Sequence, residues 1–156
     1  TTAFVDDQDL FIEEVNPENP DQYRVPGGWA EFQSRQTIID VDGGAPETLT
    51  LRWTVNGPVL DPEMFNLSTV TPPGHVMSLS WTALSDRDAS FSAAMAFTRE
   101  RTVADAMAAA QGFVAPAQNL TLAHRDGTGL KTIRAIPARP IRHQSQGRLP
   151  TPGRRV

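Results

Sequence analysis

The chain has 156 residues, with 14 Lys and Arg against 18 Asp and Glu, a net charge of −4 and no cysteine. That length can bury a real core, and the acidic balance argues against a general nucleic-acid binder, which would carry a basic face. The lack of cysteine excludes disulfides, thiol catalysis and thiolate metal sites; no apolar run approaches membrane-spanning length, and no stretch has the pattern of a signal peptide.

Asp6-Asp7-Gln8-Asp9 leads into an expected strand, Leu10–Val15. Oxygen ligands clustered so closely suit a hard cation such as calcium, and equally make a solvated acidic turn. Asn16–Gly28 is rich in Pro, Asn and Gly and reads as a long surface connection in which Tyr23 pairs briefly. Trp29–Phe32 and Arg35–Val41 read as extended. Glu47–Val55 is the clearest strand: Leu49, Leu51, Trp53 and Val55 alternate with Thr48, Thr50, Arg52 and Thr54. A hairpin between Arg35–Val41 and Glu47–Val55 is expected, its apolar face turned inward. Asn56-Gly57-Pro58-Val59 ends that strand, Asp61–His75 is a loop, and Val76–Ala83 alternates again as a strand.

Two helices follow. Asp88–Thr98 places Phe91, Ala94, Met95 and Thr98 on one stripe. Thr102–Gln111 has Thr102 as N-cap with Asp105 in the capping-box position, a stripe of Val103, Ala106, Met107 and Ala110, and Gly112 as a left-handed stop. Pro116 requires the helix to have ended. Asn119–His124 is then a short strand closed by an Asp126-Gly127 turn, and Leu130–Ile136 is a further extended segment. Asn119 at the mouth of its strand is placed to project into a cleft, or simply to satisfy nearby backbone groups. His75, His124 and His143 lack any ligand spacing, so no transition-metal site is expected.

Several motifs, in one order along the chain, carry a resemblance. They are Asp6-Asp7-Gln8-Asp9-Leu10-Phe11, Arg52-Trp53-Thr54-Val55-Asn56-Gly57-Pro58-Val59 and Ser80-Trp81-Thr82-Ala83-Leu84. After them come Gln118-Asn119 with Ala123 and Asp126-Gly127, Pro137-Ala138-Arg139, and Arg148-Leu149-Pro150-Thr151-Pro152-Gly153. The set resembles the penicillin acylase family of N-terminal-nucleophile amidohydrolases. Three positions depart from the family pattern: Asn56 replaces a usual His, His124 a usual Asp, and Gly is missing near Arg134-Ala135.

The resemblance implies an α+β chain, with antiparallel strands and two consecutive helices from a layered αββα fold, residues 1–156 forming one piece of a catalytic domain. It implies hydrolysis of a linear amide in a small acylated amine of the penicillin, cephalosporin or acyl-homoserine-lactone kind. An N-terminal Ser several dozen residues before the acidic segment would be the nucleophile. By that alignment Thr1 is a boundary rather than the nucleophile, although an N-terminal Thr can serve as one. Asn119 corresponds to the side-chain oxyanion donor, the backbone donor falls near Thr2, and Arg139 corresponds to an arginine that positions substrate and nucleophile. Asp6 and Asp9 would ligate a structural calcium through carboxylates and Gln8 through its main chain; no organic cofactor is implied. The expected partners are the substrate and the remainder of the precursor, with no nucleic acid and no membrane, in a bacterial periplasmic or secreted protein. Alone, the chain would be inert. The alternative is a stand-alone β-rich binding module in which Asn119 and the aromatic residues are structural.

Overall fold

A computed structural model describes residues 7–139 and 149–155. The chain forms two compact units, one of residues 1–8 and 81–147, the other of 9–80 and 148–156. Thr2 and Asp6 lie outside the described residues.

The larger β unit is built around β1 (Gln8–Asn16), with β2 (Asn19–Val25), β3 (Gly28–Glu31), β4 (Gln33–Ile39), β5 (Glu47–Thr54), β6 (Gly57–Pro58), β7 (His75–Trp81) and, from the far end of the chain, β10 (Thr151–Pro152). The expected surface connection at Asn16–Gly28 is instead a meander, β2 pairing antiparallel with both β1 and β3. Its Asn residues punctuate strands: Asn16 Oδ1 accepts from the Glu18 N–H at 3.0 Å, and Asn19 Oδ1 from Asp21 at 3.1 Å, so the turn chemistry is compressed into single positions. Tyr23 is buried, its ring 4.9 Å from that of Phe32, and its hydroxyl accepts from the Val55 N–H at 2.9 Å. With Phe11 and Met77 these rings form the apolar core of the unit.

The β4–β5 hairpin has the anticipated antiparallel pairing, from Gln33↔Trp53 to Ile39↔Glu47. Its apolar face is not turned inward: Leu49 is 42% and Val55 79% exposed. Alternation identifies which side chains share a face; it does not supply the surface that covers them. β10 pairs in parallel with β1, Phe11 opposite Thr151 and Ile12 opposite Pro152, so the Thr151-Pro152-Gly153 motif supplies a strand beside β1. Gly57, at φ +136°, admits no side chain, because a Cβ would collide with the Leu79 carbonyl.

The second unit holds α1 (Ser90–Phe97), α2 (Val103–Ala109) and the hairpin β8 (Gln118–His124) and β9 (Gly127–Ile133). The strand after the turn thus runs earlier than the expected Leu130–Ile136. α2 starts as its sequence dictates: Thr102 Oγ1 accepts from the Asp105 N–H at 3.1 Å and donates to the Asp105 carboxylate at 2.6 Å. Gly112 is not a left-handed stop. α2 runs into a 3-10 turn, Ala110–Gly112, and Gly112 is absent from the positive-φ residues. The expected stripe of α1 also fails, since Phe91 is 81% and Met95 47% exposed, while Ser90 and Ala93 are buried. With Ala residues on several faces, the large side chains do not decide which side packs. α2 packs on β8–β9, Val103 and Met107 lying directly over Gly129. Antiparallel strands beside two consecutive helices make the chain α+β, β10 being the parallel exception. Among the described residues, no helix is long and apolar enough to cross a membrane.

Candidate active site

Asn119 is the second residue of β8, half-buried, opposite Thr132 of β9. The Thr132 hydroxyl donates to Asn119 Oδ1 at 2.9 Å. With its oxygen engaged this way the amide is turned so that its NH₂ lies on the other side. The strand mouth is held firmly. Val114 and Ala115 N–H both donate to Ser90 Oγ, at 2.8 and 2.9 Å, and Val114 O accepts from the Ala135 N–H at 2.8 Å. Ala115 and Ala117, on the way to Asn119, are 5% and 1% exposed.

Arg139 and Gln8 are brought together. The Arg139 guanidinium donates to the Gln8 carbonyl at 3.3 Å, across 131 residues of sequence. Asp7 accepts from the Trp81 indole N–H at 3.3 Å, so two buried or half-buried groups of the acidic segment already have partners within the unit. Asp9 is 3% exposed. Among the described residues no three His, Cys, Asp or Glu side chains are grouped to hold a metal. For calcium the donors remain chemically suitable: Asp9 is a buried carboxylate, and a carbonyl keeps a second lone pair when one is hydrogen-bonded.

Two clefts, of about 450 and 370 Å³, open elsewhere, one lined by Glu14, Arg24 and His75, the other by Arg101, Leu122 and His124. Neither is lined by Asn119 or Arg139. His124 pairs instead with Asp126 at 2.9 Å, across the hairpin turn.

Two residues escaped the sequence reading. Glu13 is 1% exposed, and its Oε1 accepts from Ser78 Oγ at 2.8 Å, Asn56 Nδ2 at 2.8 Å and Thr54 Oγ1 at 3.1 Å. Its other oxygen abuts Gly153, where any side chain would collide with the carboxylate. The signal was period two: Asp9, Phe11 and Glu13 share the buried face of β1. Asn56 therefore does more than precede a turn, because its amide belongs to this network. Ser90 is the other residue, and nothing local in the sequence announces it.

The fold is that of N-terminal-nucleophile hydrolases. The solved structure of a thermostable penicillin G acylase from Alcaligenes faecalis superposes with a TM-score of 0.81 at 24% identity, over 97% of this chain and 26% of that one. The penicillin amidase family model matches residues 1–156, and the chain belongs to that family. Acyl-homoserine lactone acylase QuiP of Pseudomonas syringae pv. syringae is 30% identical over 150 residues, 95% of this chain and 17% of its own length. Penicillin G acylase of Escherichia coli is 33% identical over 81 residues, 52% of this chain and 9% of its own length. The chain thus spans a minor part of each of these proteins.

Proposed function

We propose that the whole protein is an amidohydrolase that cleaves the linear amide of a small acylated amine through an acyl-enzyme. The observation that carries this reading is the family match along all of residues 1–156. The substrates that fit are those in the relatives' names, a penicillin or an acyl-homoserine lactone. An N-terminal Ser, in the part of the protein beyond this chain, attacks the carbonyl with its own amine as base. The C–N bond breaks as the amine leaves with a proton, and water then hydrolyses the ester. Asn119 and the main-chain N–H near Thr2 donate to the oxyanion, and Arg139, anchored on Gln8, helps to hold the substrate against the nucleophile. The orientation that Thr132 imposes on Asn119 supports its role.

The test is a paired assay. The whole protein should release free amine from an acyl-amide, while the purified 156-residue chain should show no turnover, because an oxyanion donor without a nucleophile has no reaction to accelerate. An inert whole protein, or a burst from the short chain traced to Thr1, would overturn the reading.

Calcium is the cation that Asp6, Asp9 and the Gln8 carbonyl would hold, with a structural role at the start of β1. Asp9→Ala in the whole protein should then lower the melting temperature more in calcium than in chelator. Melting unchanged by calcium in the wild type would remove the ion from the scheme. A periplasmic or secreted bacterial location completes the proposal, and fractionation of the native host tests it.

A further inference from the structure

We infer that Ser90, oriented by Asp88, is a positioning residue that fixes Asn119 for catalysis; the inference rests on the oxyanion role proposed for Asn119. A serine hydroxyl has one proton and two lone pairs. All three are used here. Ser90 Oγ–H donates to Asp88 Oδ1, which also accepts the Ser90 N–H at 2.9 Å, so the hydroxyl proton is directed away from the strand. Both lone pairs then face the consecutive N–H groups of Val114 and Ala115, at 2.8 and 2.9 Å. Two successive backbone donors converging on one oxygen fix the direction of the chain as it enters β8.

The arrangement is buried where it matters. Ser90 is 7% exposed, and Ala115 and Ala117 of the connecting segment are 5% and 1% exposed, so water is not at hand to replace the hydroxyl. The anchor lies 24 residues away in sequence from Val114, at the start of a different element. The Asn119 amide must meet an oxygen that exists only in the transition state, and a displacement of about 1 Å at such a donor can cost up to roughly a hundredfold in rate.

The experiment is a double-mutant cycle on the whole protein, with kcat and KM measured beside a thermal melt. Ser90→Ala should lower kcat about tenfold with KM nearly unchanged, and should cost nothing further in the Asn119→Ala background. Asp88→Ala, at an exposed position that threatens folding little, should lower kcat by about two- to threefold and show the same coupling; it decides the matter if Ser90→Ala does not fold. Equal losses in both backgrounds would mean a merely structural serine and would overturn the inference. So would full turnover in Ser90→Ala or, where that variant does not fold, in Asp88→Ala; an impaired Asn119→Ala would leave the oxyanion reading standing. Full turnover in Asn119→Ala would instead remove the oxyanion reading, and this inference with it.

Discussion

In the whole protein, Asn119→Ala is expected to lower kcat and kcat/KM together by roughly two to three powers of ten, the usual loss for one oxyanion donor. The equal fall follows from the role proposed for the amide. A substrate carbonyl oxygen is nearly neutral, and the Asn119 NH₂ gains its full interaction only as the tetrahedral oxygen becomes negative. Removing it therefore raises the transition state and leaves ground-state binding almost untouched. Asn119→Asp should be no better than Ala, since an ionised carboxylate repels the oxyanion. A structural asparagine gives another pattern. Losing the 2.9 Å bond from Thr132 would cost about 1 kcal/mol of stability and leave turnover near normal. Steady-state kinetics beside a melt separate the two, and a destabilised but fully active Asn119→Ala would end the oxyanion role.

The reach of the sequence differed by the range of the interaction involved. Local rules held: the Thr102 cap and the pairing of β4 with β5 came directly from spacing and alternation. Where a local signal needed a distant partner, it failed. Pro, Asn and Gly over Asn16–Gly28 look like loop, because turn residues are visible one by one while the meander they punctuate needs β1 and a buried Tyr23 to form. Alternation puts Leu49 and Leu51 on one face, but no periodicity says whether a face is covered. The site shows the same division. Asn119 stood out through its place in a family motif, and Arg139 likewise, whereas the Arg139–Gln8 contact spans 131 residues and no local rule predicts it. Ser90 looks like any polar residue at a helix start until Val114 and Ala115 are seen to converge on it. Thr151-Pro152-Gly153, read only as a motif, proved to be a strand beside β1 with a glycine laid against Glu13.

That glycine leads to the largest stability effect expected within this chain. Glu13→Ala should destabilise the fold by about 3–5 kcal/mol, because it takes the shared acceptor from several buried hydrogen-bond donors. The loss is not that of the carboxylate alone. Thr54, Asn56 and Ser78 all donate to Oε1, from β5, the turn after it and β7, and truncation takes the acceptor from all three at once, leaving Thr54 only its long 3.4 Å contact with the Gly57 carbonyl. Each donor left unsatisfied in the interior costs about 1–3 kcal/mol, and partial collapse or an entering water keeps the sum below three full penalties. Glu13→Gln keeps an acceptor of the same shape for those donors and should cost visibly less than Ala. The adjacent residue is the control. Glu14 is 40% exposed, its contact with Arg154 is a loose 3.9 Å, and Glu14→Ala should stay within about 0.5 kcal/mol of the wild type. Equal melting of Glu13→Ala and Glu14→Ala would show that β1, β5 and β7 are held by their aromatic and backbone contacts, and that the buried carboxylate is incidental to them.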